Sequence, residues 1–194
     1  MVKIALASAS PRRRELLSQL GVDFQLVKVD VDESQFPQET ATDYVLRLAK
    51  TKAQAGLAAQ QQSPPLPVLG ADTIVVVDGE VLGKPVDQHD FLRMMRLLSG
   101  RQHQVYTSIA LATPTLLLSD TVQTDVWFSS LSADQMLDYW RTGEPADKAG
   151  GYGIQGLASR FIPKIAGSYF AVVGLPLYET DQLLQQLVAA QGAL

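Results

Sequence analysis

The chain has 194 residues, and its 16 lysines and arginines against 20 aspartates and glutamates give a formal net charge of −4. This length suits one large domain or two closely associated lobes, and 46% hydrophobic with 19% charged residues excludes a largely disordered chain. The negative balance excludes a general binder of polymeric nucleic acid, so a bound polyanion must be small and meet a local positive cluster.

Several protein classes are excluded by residues that the chain lacks. It has no cysteine, which excludes disulfide scaffolds, zinc ribbons, thiol nucleophiles and iron–sulfur sites. His89 and His103 are too few for a multi-histidine metal site, and we expect each to be structural or exposed. The apolar stretch at the N-terminus is too short for a signal peptide, and Asp72 and Asp78 interrupt the longest candidate for a membrane span. We therefore expect a cytoplasmic protein with no membrane partner.

Short apolar runs in the first half of the chain predict strands separated by helices. The predicted strands span residues 3–7, 24–29 and 68–77, the last as either a strand pair or one kinked strand. Ser10 as N-cap, Pro11 in the first turn and Gly21 at the end are typical of a helix. A second, long helix is predicted over 42–62, because the proline-rich segment 63–67 cannot continue it.

The second half of the chain repeats this alternation. Asp78-Gly79 is a hairpin turn signal, and strands are predicted over 81–82, 104–112 and 116–128. Helices are predicted from Asp87 to Gly100, from a capping box at Ser132 to Arg141, and from Pro176 to residues 191–192. The glycine-rich segment 143–156 is predicted to be a functional loop. The alternation predicts a mixed α/β fold for residues 1–194 as a single domain.

Serines and arginines are clustered where the first strand meets the first helix. Ser8, Ser10 and the arginines at 12–14 surround a helix start, where backbone N–H groups and the helix dipole attract anions. Guanidinium suits bidentate phosphate binding, although the spacing of a Walker P-loop is missing. The alternative is a serine cap followed by solvated arginines, and the segment alone leaves both open.

Two charged residues are predicted to lie within apolar segments. An ionised carboxylate at Asp72 is costly among apolar neighbours unless paired or metal-bound, so Asp72 is a candidate general base or metal ligand. Alternatively, Asp72 lies in a turn at the strand edge and hydrogen-bonds nearby amides. Lys52 lies about 20° from Val45 on a helical wheel, within the apolar stripe. Lys52 must either extend along its stem to water or meet an anion in a cleft.

Three further side chains suit the same chemistry. Lys84 follows the hairpin that Asp72 leads into, and Glu33 belongs to an acidic loop whose oxygens would suit Mg²⁺ or Mn²⁺ together with Asp72. The amide of Gln155 both donates and accepts, which suits the edge of a nucleobase. The alternatives are a surface lysine, a solvated loop and a flexible glycine loop. Together these groups suggest metal-assisted hydrolysis of a phosphoanhydride.

The motifs of the chain, taken in order, resemble those of the Maf family of nucleoside triphosphate pyrophosphatases. The similar segments are Leu6–Arg13, Tyr44–Ala53, Gly70–Val75, Gly83-Lys84-Pro85, Gly143-Glu144-Pro145, 147–156 and Val172–Leu177. The resemblance implies hydrolysis of a nucleoside triphosphate to the monophosphate and pyrophosphate with a divalent metal cation. It also implies a mixed twisted sheet with flanking helices, two lobes around a deep cleft, a small-molecule nucleotide substrate and a homodimer.

The resemblance assigns roles to individual residues. It implies that Asp72 is the proton acceptor, and we expect Glu33 and Asp72 to hold the metal. The implied nucleotide-binding residues are Ser8, Arg12, Arg13, Glu33, Lys52, Thr73, Lys84 and Gln155, of which Arg12, Thr73 and Gln155 are linked to the choice of base. The sequence from Tyr152 to Gly156 resembles the subgroup that acts on dTTP and UTP. The part played by Arg14 is not explained by the resemblance.

Two alternatives to a pyrimidine nucleotide pyrophosphatase follow from the same sequence. The first is the same chemistry on a purine or modified purine nucleotide. The second is a nucleotide-sensing regulator of cell division or septum formation in which hydrolysis is incidental.

Overall fold

The computed structural model describes residues 2–192. The strands are β1 (Ile4–Ala7), β2 (Phe24–Leu26), β3 (Val68–Val77), β4 (Glu80–Leu82), β5 (Gln102–Ala112), β6 (Leu117–Trp127) and β7 (Lys164–Ala166). The α-helices are α1 (Pro11–Gln19), α2 (Ala41–Ala58), α3 (Gln88–Leu98), α4 (Ala133–Arg141), α5 (Tyr169–Val173) and α6 (Leu177–Gly192). Short 3₁₀ helices span Glu144–Asp147, Ala149–Gly151 and Leu157–Phe161. No helix among these residues is long and apolar enough to cross a membrane.

The strands form one mixed sheet in the order β2-β1-β3-β5-β6-β7, with β4 paired to β3. β1 runs parallel to β2 and β3, whereas β4 is antiparallel to β3 and β7 is antiparallel to β6. The mixed sheet and its helices confirm the predicted α/β class.

The chain divides into two compact units. The first unit holds the residues up to Asp72, residues 107–122 and the residues from Gly174 onward, and the second holds residues 73–106 and 123–173. The predicted arrangement of two lobes around a deep cleft stays a prediction.

Most predicted helix ends are confirmed by their capping groups. Ser10 accepts a hydrogen bond from the Arg13 N–H at the start of α1, and Gly21 follows the helix with a φ of 66°. A capping box at Ser132 begins α4. Asp78 and Gly79 both have positive φ, as the predicted hairpin turn requires.

Several predicted boundaries are wrong. The second helix ends at Ala58 rather than at residue 62, and Gln60 beyond it exchanges two side-chain hydrogen bonds with the Leu66 backbone. β2 ends at Leu26 rather than at Val29. The segment 68–77 is one continuous strand, and Asp72 lies inside it rather than in a turn at its edge.

Small residues in the first unit let α2 lie close to the sheet. Ala49 and Ala53 of α2 form a buried cluster with Ala110 and Ala112 of β5. A Cβ atom placed on Gly70 of β3 would lie 2.5 Å from both Ala49 O and Ala53 N. The backbones of α2 and β3 are therefore in direct contact, and side chains beside this contact are within reach of each other.

Aromatic side chains dominate the core of the second unit. Phe91, Phe128, Tyr139, Tyr152 and Phe161 belong to one buried cluster that draws on β3, α3, β5 and α4. His103 joins this cluster: its ring packs edge-on against Phe128 and Tyr152, and its Nε2 lies 2.7 Å from the Tyr152 hydroxyl. This core supports the backbone on which residues 153–157 lie.

The buried His103 predicts a loss of stability in acid. Burial lowers the pKa of His103 to about 4, whereas a histidine in the unfolded chain has a pKa of about 6.5. The unfolded chain therefore binds a proton below about pH 6.5 that the folded chain excludes. The neutral His103 therefore makes its full contribution to the free energy of unfolding above about pH 6.5. That free energy falls by about 3 kcal/mol as the pH approaches 4. Urea unfolding at pH 7 and pH 4 should show this loss.

The exposed His89 supplies the control for this prediction. Between the two pH values, His103→Gln should lose about 3 kcal/mol less stability than the wild type, whereas His89→Gln should follow the wild type. An equal loss in His103→Gln and the wild type would show that another group causes the acid sensitivity.

Candidate active site

Two carboxylates converge on one lysine in the first unit. Lys52 Nζ lies 2.6 Å from Asp72 Oδ1 and 2.6 Å from Glu33 Oε1. Lys52 and Asp72 are only 9% and 8% exposed, whereas the Glu33 side chain is 54% exposed. Lys52 therefore meets anions rather than extending to water, and the cost of burying Asp72 is offset by a direct ion pair.

The electrostatic setting of Asp72 makes its carboxylate more basic. Burial raises the pKa of the Asp72 carboxyl above its ordinary value, and the charge of Glu33 acts in the same direction. Lys52 and Arg13 attract the ionised form and oppose this rise. A carboxylate with a raised pKa holds a transferred proton better, which is a property that a general base needs.

Arg13 is fixed beside these charges by the start of α1. Its Nε donates to Gly174 O at 2.8 Å, and its Nη1 donates to Ser8 Oγ at 3.4 Å. Burial lowers the pKa of Arg13 and the nearby Arg12 adds to this, while the charges of Asp72 and Glu33 raise it. Because both carboxylates affect this pKa, the Arg13 guanidinium lies within electrostatic reach of each of them. The guanidinium remains charged at neutral pH.

The segment that carries Glu33 is held in place by two residues of α2. The Tyr44 hydroxyl donates to Glu33 O at 2.6 Å, and Arg47 Nη2 donates to Ser34 O at 2.9 Å. Arg47 also forms a two-point ion pair with Glu39. Neither Tyr44 nor Arg47 was predicted from the sequence to have a role of its own. Their spacing of three residues puts them on one helix face, and this spacing is the sequence feature that could have predicted a shared role.

The other predicted site residues belong to the second unit. Thr73 is half-buried and directly follows Asp72 on β3, while Lys84 and Gln155 are exposed. Gly150 N donates to Gly83 O at 2.9 Å, which joins the segment that holds Lys84 to the glycine-rich segment. The place of Lys84 and Gln155 relative to Lys52 and Asp72 stays a prediction.

The residues present suit a divalent cation that substrate helps to bind. Glu33 and Asp72 each direct an oxygen at the same point, which Lys52 Nζ occupies. No group of three or more histidine, cysteine, aspartate or glutamate side chains within residues 2–192 is arranged to hold a metal ion alone. Mg²⁺ is usually bound by one or two carboxylates together with substrate phosphates, and this pair fits that pattern.

Comparison with known sequences gives matches over nearly the whole chain. A family model described as Maf-like protein matches residues 3–187. The dTTP/UTP pyrophosphatase of Pseudoalteromonas translucida is 58% identical over 182 residues, covering 94% of this chain and 95% of that protein. The protein of the same name from Aliivibrio fischeri is 54% identical over 188 residues, covering 96% and 98%. That of Escherichia coli is 53% identical over 189 residues, covering 97% and 95%.

Solved structures give weaker matches. A dITP/XTP pyrophosphatase from Mycobacterium abscessus has a TM-score of 0.45 and 21% identity, with 68% of this chain and 77% of that chain covered. The Ham1 protein of Staphylococcus aureus has a TM-score of 0.47 and 16% identity, with 65% and 71% covered. At these values neither likeness bears on what this chain does.

Proposed function

The chain belongs to the Maf family, and we propose on this premise that it hydrolyses dTTP and UTP to the nucleoside monophosphate and pyrophosphate. Relatives that are more than half identical over nearly their full length are named for this activity. The purine alternative and the cell-division regulator are not favoured by these names.

The observation that carries the proposal is the ion-paired cluster of Lys52, Asp72 and Glu33 beside Arg13. It combines cations for phosphate oxygens with a carboxylate whose pKa is raised. Preorganised cations of this kind stabilise charge that develops on a phosphate in the transition state. The cluster thus holds the parts that hydrolysis of a phosphoanhydride requires.

In the proposed reaction, Asp72 accepts a proton from the attacking water. The water oxygen bonds to the α-phosphorus, the bond from that phosphorus to the bridging oxygen breaks, and pyrophosphate leaves with the electron pair. Lys52 lies 2.6 Å from Asp72, and we propose that this lysine both orients the carboxylate and contacts the phosphate oxygens. Arg12, Arg13 and Lys84, with the Ser8 hydroxyl, complete the proposed triphosphate site.

A divalent cation is part of this proposal, with Glu33 and Asp72 as its protein ligands. When bound, it would neutralise charge on the phosphate oxygens. Lys52 would then give up part of its contact with these carboxylates and turn toward the substrate. Thr73 and Gln155 are proposed to read the base. A cytoplasmic location and a homodimer also belong to the proposal, on the family resemblance alone.

A nucleotide panel tests this function directly. The purified chain with Mg²⁺ is given dTTP, UTP, CTP, ATP and GTP, and pyrophosphate and monophosphate are measured together. We expect kcat/KM for dTTP and UTP to exceed that for the purine nucleotides by at least about a hundredfold, since a site that hydrogen-bonds a substrate strongly rejects one lacking those groups.

Other outcomes of the panel would contradict the proposal. Turnover of purines alone would replace the pyrimidine substrate by the purine alternative. Release of orthophosphate in place of pyrophosphate would show that water attacks a phosphorus other than the α-phosphorus. Nucleotide binding with no turnover would favour the regulator.

A further inference from the structure

We propose that Tyr139 and Glu144 fix the turn that presents Gln155 and thereby set the selectivity of the site for its base. This inference rests on the proposed function and deepens it. It gives a role to Gly143-Glu144-Pro145, a segment that the mechanism above does not use. Both residues are proposed as positioning residues, because they act through the turn.

The turn itself is well defined. Gly156 N donates to Gly153 O at 3.0 Å, which closes a four-residue turn with Ile154 and Gln155 at its centre. Ile154 is buried, whereas Gln155 is exposed. Ile154 therefore anchors the turn in the second unit and leaves the Gln155 amide available for a ligand.

One small network holds both ends of this turn. Gly153 N donates to the Tyr139 hydroxyl at 3.2 Å, and Leu157 N donates to Glu144 Oε2 at 2.9 Å. The two acceptors are joined, because the Tyr139 hydroxyl donates to Glu144 Oε1 at 2.8 Å. The backbone is thus fixed two residues before and two residues after Gln155.

The glycines of the turn lie directly against this network. A Cβ atom on Gly156 would collide with the Glu144 carboxylate, and one on Gly153 would lie 2.8 Å from Lys148 Cε and 3.4 Å from Glu144 Oε1. Tyr139 is fully buried, and burial together with Glu144 raises the pKa of its hydroxyl, which stays a donor at neutral pH. Tyr139 and Glu144 therefore support the turn both by hydrogen bonds and by close packing.

A support of this kind bears on selectivity because glycine-rich backbone is otherwise free to move. An amide that distinguishes bases must be held in one place, and a misplacement of about 1 Å costs up to about a hundredfold in rate. The hydrogen bonds of the support end on Gly153 and Leu157, so we expect it to affect reading of the base and to leave the phosphate chemistry to the residues of the Lys52 cluster.

Two conservative variants test this inference. Tyr139→Phe removes the hydroxyl that serves Gly153 and Glu144, and Glu144→Gln leaves one good acceptor where two are needed. Each should lower kcat/KM for UTP and dTTP by about tenfold, mainly through KM. Turnover of the purine nucleotide that the wild type accepts best should stay unchanged, so the selectivity ratio falls by the same factor. Asp138→Asn, at an exposed position of α4 beside Tyr139, is the matched control and should behave as the wild type.

A second arm separates positioning from general damage. In a Gln155→Ala background, Tyr139→Phe and Glu144→Gln should cause no further change in the selectivity ratio, because the residue through which they act is gone. An equal loss for pyrimidine and purine nucleotides, or a full additional loss in the Gln155→Ala background, would overturn the inference.

The inference and the proposed function fail in different ways. A wild type that selects pyrimidines, together with a Tyr139→Phe variant that selects them equally well, would overturn the positioning role alone. A wild type with no pyrimidine turnover would overturn the proposed function, and the inference with it.

Discussion

Asp72→Asn is expected to lower kcat for pyrophosphate release by about a thousandfold while nucleotide binding remains. Asparagine keeps the size of the side chain and an oxygen for Lys52, but it cannot accept a proton from water. Glu33 still pairs with Lys52 in the variant. In the absence of divalent cation, removal of a negative charge from the phosphate site should keep or strengthen nucleotide binding, which titration calorimetry with metal-free UTP would measure.

The stability of the Asp72→Asn variant separates chemistry from folding. The folded state already disfavours the ionised form of Asp72, as its raised pKa shows, so a neutral amide should not lower the melting temperature. The control is Asp78→Asn in the β3–β4 turn, where the carboxylate is exposed and pairs with Arg101. It should keep wild-type turnover.

One result would contradict the assigned role, and another would favour the regulator. An Asp72→Asn variant that retains a tenth of the wild-type kcat would show that another group accepts the proton. A variant that binds nucleotide without turnover, yet leaves cell division unchanged when it replaces the wild type in cells, would favour the regulator instead.

Gly70→Ala is expected to destabilise the fold by about 3 kcal/mol or more. It is also expected to lower the kcat of the molecules that remain folded. The added methyl group would press on Ala49 O and Ala53 N, which are backbone atoms of α2 and cannot turn aside. α2 would have to move away from β3. Because Lys52 lies on α2 and Asp72 lies two residues beyond Gly70, the same movement would separate this ion pair.

A graded series of glycine substitutions checks this reasoning. A Cβ on Gly56 of α2 would meet only side-chain atoms, of Val68, Ala7 and Val27, so Gly56→Ala should cost less. Gly192→Ala, with no atom within 4 Å, is the matched control. Urea unfolding gives the order, and kcat at a temperature where each variant is folded gives the effect on the site. A Gly70→Ala variant within 1 kcal/mol of the wild type would contradict the close contact.

Features encoded by local pattern could be predicted from the sequence. Helical periodicity placed Lys52 on the apolar face of α2, and a charged residue within an apolar run marked Asp72. The caps Ser10 and Ser132 fixed helix starts because their hydrogen bonds reach only three residues along the chain.

Features that depend on distant partners could not be predicted in this way. Tyr44 and Arg47 were part of a motif, but their bonds to Glu33 and Ser34 span 11 and 13 residues, across a segment without periodicity. The support given by Tyr139 to Gly153 spans 14 residues across the 3₁₀ helices, which local propensity does not specify. β7 and α5 are only three and five residues long. Contacts with distant parts of the chain, rather than their own residue pattern, determine their secondary structure.

The shared ion pair at Lys52 also has a consequence for inhibition by simple inorganic anions. With both carboxylates engaged, the lysine is already neutralised before any ligand arrives. An orthophosphate ion would have to displace Glu33 or Asp72 and would bring too few contacts in return. A nucleotide with three linked phosphates gains enough to make that exchange. We therefore expect orthophosphate to compete poorly with a nucleotide for Lys52.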